Sequence, residues 1–307
     1  MVRSALIFIA RHGKLGLIAG LVAGVALPDL AAILRHWIPE LVALLLFLTA
    51  FRIGPQETVG SLRDLGQTAS TALTLQLALP LVFLVGLWML NVSLSPLALA
   101  VALMLAAPSV TGSANFSILL NSEPAPALRL LIVGTALLPL TCIPVFWMLP
   151  QFGAMAAVLQ AAARLLVVIL AAAALGFALR HWVVPRLSDH DRRATDGLTV
   201  IVLAIVVIGL MSAIRPAFER DPAELGFWLA AAFGVNFGMQ ILVFTILRAR
   251  GRSDAVPIAI VAGNRNFALF FVALPTETTD PLLIFLGCYQ FPMYLTPTLM
   301  RRLYDPR

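Results

Sequence analysis

Arg265 is the residue on which any chemistry in this sequence turns. It stands in Ala262-Gly263-Asn264-Arg265-Asn266, about eleven residues from either end of a long apolar run. A guanidinium is always charged and presents five donors in a rigid fork, a shape that suits carbonyl oxygens and carboxylates alike. A second polar interruption lies earlier, in Ala107-Pro108-Ser109-Val110-Thr111-Gly112-Ser113-Ala114-Asn115. Asn115 and Asn266 are 151 residues apart, about half the chain length. Further polar groups sit deep in apolar runs at Gln76, Tyr289 and Gln290.

The elements that carry these residues must be membrane helices. The chain is 61% hydrophobic and 12% charged, where soluble proteins carry about 25% charge. A mean hydropathy of +0.97 is too apolar for a water-covered surface. Apolar runs predict ten spans, at 15–30, 37–54, 67–90, 95–121, 125–149, 153–180, 195–214, 224–247, 254–275 and 281–300. The first residues, with Arg11, His12 and Lys14 behind a short apolar stretch, read as a cytoplasmic interfacial segment rather than a secretory signal.

Charge placement sets an orientation. With both termini in the cytoplasm, the inner segments hold fifteen basic residues, among them Arg52, Arg63, Arg186, Arg192, Arg193, Arg250 and Arg307. The outer segments hold three, Arg35, Arg215 and Arg220. That asymmetry follows the positive-inside rule and supports an even number of spans. The five tryptophans fall near span ends, at headgroup level. The net charge of +6 is therefore a topology signal, and no basic face interleaved with aromatics suggests nucleic acid. Cys142 and Cys288 lie in apolar segments and read as buried small hydrophobes.

Five spans precede residue 150 and five follow it, so the halves 1–150 and 151–307 are expected to be inverted repeats within one transmembrane domain. The fourth span of each half carries the interruption, and matched breaks are the sequence pointer to a transporter binding site. Irregular backbone at mid-membrane is tolerated only where it is buried or lines a cavity. The expected substrate site is Thr111, Ser113, Asn115, Asn264, Arg265 and Asn266 at the breaks, joined by Gln76, Tyr289 and Gln290. For Arg265 two roles stand open: bracing the crossing of spans 4 and 9, or contacting an anionic substrate. Arg129 is expected to snorkel to the cytoplasmic interface.

With these residues in view, the whole chain resembles the bile acid:sodium symporter family. The likeness rests on the Leu27-Pro28-Asp29 turn, Gln76 in span 3, the Pro108–Asn115 stretch and Gly263–Asn266. The resemblance implies an all-α fold of ten spans in two inverted five-helix repeats. Spans 1, 2, 6 and 7 would form a panel, the rest a core, and spans 4 and 9 would be discontinuous crossing helices. It implies alternating-access uptake of amphipathic or small carboxylates with sodium. The sequence departs from the family at the sodium sites. A glutamate and a glutamine of the second crossing motif are replaced by Val261 and Arg265, and no hydroxyl lies between Ala127 and Ile132. The expectation is that Arg265 stands in place of a bound cation, so that no cofactor is required and sodium is left undecided.

Other readings remain beside it. One is a sodium-coupled organic anion symporter with a site rearranged around Thr111, Ser113 and Asn115. Another is export of a toxic solute, as in the related arsenite efflux family. A third is a membrane sensor that transports nothing. An enzyme is not expected: no paired carboxylates, H-E-x-x-H spacing or mid-span Ser/His pair occurs. The strong use of arginine over lysine and the Ala-rich spans point to a bacterial inner membrane. The partners expected are the lipid bilayer and a small organic anion.

Overall fold

The computed structural model describes residues 2–60, 64–149, 154–185 and 187–304. Of the basic residues used for topology, Arg63, Arg186 and Arg307 lie outside the described residues. Every regular element described is helical. Among the described residues, the one β-type contact is an isolated antiparallel bridge between Ser109 and Arg265.

Among the described residues, seven helices are long and apolar enough to cross a membrane. They are α4 (Ile38–Gln56 of a helix that continues to Gly60), α5 (Leu65–Met89), α8 (Ala125–Trp147), α9 (Met155–Val183), α10 (Asp189–Arg220), α11 (Pro222–Ala249) and α13 (Thr276–Leu299). They cover seven of the ten expected spans. The remaining three are shorter or interrupted, and each has a local cause.

The first expected span divides into α2 (Gly13–Ala26) and α3 (Pro28–Arg35). Pro28 has no N–H and pushes Leu27 out of the helical region, to φ −118° and ψ 72°. Before them α1 (Val2–Arg11) turns by 87° against the helix that follows and packs along α10. The expected fourth span is α6 (Pro96–Ala106) followed by α7 (Ser113–Leu119). The ninth is α12 (Ala255–Gly263) followed by a 3-10 stretch, Phe267–Val272.

Helix starts follow the sequence. Ser95 accepts from the Ala98 N–H ahead of Pro96, and Asp221 accepts from Ala223 and Glu224 ahead of Pro222. Both pair an N-cap oxygen with a proline in the first turn, where a missing N–H costs nothing. α6 is buried without a break from Ala98 to Ala106, and α12 is buried along almost its whole length. A helix apolar on every side belongs inside the bundle. The two interrupted segments thus occupy the interior, where protein rather than lipid surrounds their irregular backbone.

The longer helices pack around them in two neighbourhoods. α4 lies against α9 and α10, and α2 lies along α10. α11 packs on α12 and α13, while α5 packs on α8. Contacts of α8 with α9, and of α4 with the Phe267–Val272 stretch, join the two. Trp37, Trp88, Trp147 and Trp182 are exposed near helix ends, whereas Trp228 is buried against Phe285. Cys142 and Cys288 are both buried and free.

Candidate functional site

The two helix breaks meet. The Val110 N–H donates to the Asn264 carbonyl at 3.1 Å, and the Asn266 N–H donates to the Pro108 carbonyl at 2.8 Å. Two stretches of backbone that leave their own helices therefore satisfy one another, which removes much of the cost of unpaired groups far from water. Pro108 ends α6 by holding Ala107 extended, at ψ 152°. Gly263 ends α12 where no side chain would fit, since a Cβ there would overlap the Asn236 carbonyl and the Gln240 side chain.

Arg265 is locked into this junction. It is 2% exposed, and its three nitrogens each donate to a main-chain carbonyl. Nε reaches Ala262 at 3.0 Å, one terminal nitrogen reaches Ala107 at 3.0 Å and the other reaches Leu75 at 3.2 Å. Each acceptor is freed by the local sequence. In a continuous helix the Asn266 N–H would bond the Ala262 carbonyl, but it is turned to Pro108. Ala107 is the C-cap of α6, where carbonyls have no intrahelical donor.

Leu75 is freed by a subtler route. It lies in a π turn, Thr74–Ala78, in which the Leu79 N–H bonds the Thr74 carbonyl. The next bond in that register would run from residue 80 to the Leu75 carbonyl, and Pro80 has no N–H. Three breaks in three different helices thus turn their spare oxygens toward one guanidinium. Of the two roles open for Arg265, bracing the crossing is the one its hydrogen bonds perform.

A polar cluster fixes the far side of the same junction. The Tyr289 hydroxyl accepts from the Arg265 main-chain N–H at 3.2 Å and donates to the Gly263 carbonyl. Asn264 donates to the Ile260 carbonyl at 2.8 Å, and its side-chain oxygen lies 3.2 Å from the Thr296 hydroxyl. Asn236 donates to the Gly263 carbonyl, Gln240 donates to Asn236 at 2.6 Å and to Thr296 at 3.0 Å, and the Tyr304 hydroxyl donates to Gln240 at 2.9 Å. Asn236, Gln240, Thr296 and Tyr304 were not among the residues expected from sequence. Asn236 and Gln240 stand four apart within an apolar helix, on one face, and that spacing inside a span was the available signal.

Beside the junction lies a cavity of about 200 Å³. Its walls come from α4, α8, α9, α10 and α13 and from both breaks. Most of the lining is apolar, including Leu46, Ile169, Phe177, Val206 and Phe267. The polar lining is Thr49, Thr58, Thr111, Thr135, Arg265, Asn266 and Gln290.

The expected site residues therefore separate into three groups. Thr111, Arg265, Asn266 and Gln290 share the cavity wall. Asn264, Tyr289, Ser113 and Gln76 are buried but stand outside its lining. Ser113 is hydrogen-bonded to the Ser109 hydroxyl at 3.0 Å, and Gln76 donates to the Gly134 carbonyl of α8 at 3.1 Å. Asn115 is exposed on α7 and outside the lining, so it does not belong to a cavity site. Residues two apart on an α-helix point to nearly opposite sides, and this sets Asn115 away from the buried Ser113 on α7.

Charges at the helix ends pair with one another. Arg129 pairs with Asp64 at the start of α5, and Arg52 donates to Asp196 at 2.9 Å. In the loop before α12, a hydrogen bond from Arg252 to Asp254 raises the arginine above its ordinary range. Among the described residues, no group of three or more His, Cys, Asp or Glu side chains converges on a point. No family model and no curated protein matches the chain.

Proposed function

We propose that this chain is a secondary transporter of a small organic anion, a carboxylate, with a fold like that of the bile acid:sodium symporters. It works by alternating access across a bacterial inner membrane, with both termini in the cytoplasm. The observation that carries the reading is the junction of the two helix breaks beside the cavity, with Thr111, Arg265 and Asn266 in its wall. Paired interruptions at mid-membrane are how transporters build substrate sites. α2, α4, α9 and α10 serve as the panel, and the helices around the breaks serve as the core that moves against it.

In this reading Arg265 does the work of a bound cation. The oxygens of Leu75, Ala107 and Ala262 converge on its guanidinium. A sodium ion there would need those oxygens and would be repelled by the fixed charge. Val261 is buried and apolar where the family would place a carboxylate, Asn115 faces outward and Ser113 is engaged by Ser109. These residues do not fit a sodium ion, so the transport cycle needs none. Driving force comes from the substrate gradient, from protons or from exchange.

Three of the five guanidinium donors are taken by carbonyls. The remaining charge and donors orient a carboxylate whose apolar part fills the rest of the space. A cavity of about 150 Å³ holds a benzene molecule, so this one suits an acid of roughly that size. The test is the melting temperature of the detergent-purified protein against a panel of small carboxylates, in sodium and in choline buffers. The expected result is a shift with particular acids that is equal in both buffers. A shift that requires sodium would restore the symporter, and no shift with any acid would remove the substrate class.

A further inference from the structure

Arg164 is a charge that neither the junction nor the cavity uses. It lies in α9, nine residues beyond Met155, which is about 14 Å along the helix axis. Its side chain is exposed, and no hydrogen bond or ion pair joins it to any described residue. On a helix that crosses a membrane, an exposed side chain at that depth faces lipid tails. A bare guanidinium there is costly and must find an anion or the headgroup zone.

The helix supplies the direction. Cα–Cβ bonds tilt toward the N-terminus of a helix. The Arg164 side chain therefore leads back toward Met155, the near end of α9, in whichever leaflet that end lies. The level of that end is marked by Trp147, exposed at the close of the preceding helix, α8. Gln160, also exposed, sits one turn nearer the same end on the same face. A snorkelling arginine from this depth falls short of bulk water but within reach of a phosphate drawn slightly inward.

We infer that Arg164, with Gln160 above it, forms a binding site for the phosphate of an anionic phospholipid on the lipid-facing side of α9. Charge complementarity selects this partner over a second copy of the chain. From Met155 to Ala178 there is no Asp or Glu. Two copies meeting on this face would bring arginine toward arginine with no carboxylate to separate them. A phosphate accepts a guanidinium fork in a bidentate manner, and a glutamine amide adds a donor one turn away.

The test uses the purified full-length protein and dioleoyl-phosphatidylglycerol as the probe, with binding read by native mass spectrometry. The wild type is expected to retain one tightly held phosphatidylglycerol. Arg164→Leu is expected to bind it at least about tenfold more weakly, the equivalent of one charge-assisted hydrogen bond. Its melting temperature in lipid-free detergent should stay unchanged, because Arg164 is exposed and makes no hydrogen bond or ion pair with any described residue. Equal phosphatidylglycerol binding by the two proteins would overturn the assignment. So would a dimer mass in the wild type that disappears in Arg164→Leu, which would give the face to a second copy.

Discussion

Arg265 and Asn236 show how single residues hold an irregular backbone inside a membrane. Gly263 ends its helix with a carbonyl that three side chains attend directly or through one another: Tyr289, Asn236 and Gln240. Removing one member takes a hydrogen bond from each of its buried partners, at about 1 kcal/mol for each bond lost. Asn236→Leu is therefore expected to lower stability by at least about 2 kcal/mol, read as a fall in the melting temperature. A variant that melts with the wild type would mean the cluster is loosely held or hydrated. The identity of Arg265 as a special residue was legible in the sequence, since a lone charge at mid-span has few bland explanations. Its partners were not. Leu75, Ala107 and Ala262 contribute main-chain oxygens, and nothing in a residue's type announces that its carbonyl is free.

At the scale of elements, the breaks were legible because proline and glycine caused them. Pro108 and Gly263 stop α6 and α12 where the sequence placed the interruptions. Pro28 divides the first expected span by the same mechanism, and there the apolar run gave too much weight to hydropathy. The π turn at Thr74–Ala78 was invisible, because a wide turn changes hydrogen-bond register without any change in apolar pattern. Pro80 connects that turn to the site. Replacing a proline inside a helix by alanine ordinarily stabilises by roughly 3 kcal/mol. Pro80→Ala restores an N–H that competes with Arg265 for the Leu75 carbonyl. The expected outcome is that most of this gain is missing and that the variant's melting temperature stays near the wild-type value. A full gain would show that the Leu75 carbonyl needs no outside donor.

For the molecule as a whole, the sequence made the class plain: an all-helical protein with several helices long and apolar enough to cross a membrane. Which helices face the cavity was not legible, because most spans are apolar on nearly every side and the hydrophobic pattern marks little of their facing. Ala173 of α9 lies in the cavity wall. Ala173→Phe is expected to fill the space, so that carboxylates no longer shift the melting temperature while the melting temperature without ligand falls only slightly. Retained shifts would place the binding site elsewhere.

The central claim is that a fixed guanidinium replaces a bound ion at the crossing, and it is tested most directly by Arg265→Gln. The measurement is the melting temperature of wild type and variant in sodium chloride and in choline chloride at equal ionic strength. The account predicts a wild type indifferent to the cation. It predicts a variant destabilised by several kcal/mol in choline, since three buried carbonyls lose their donor. A wild type that needs sodium for its stability, or a variant that melts with the wild type in both salts, would contradict it.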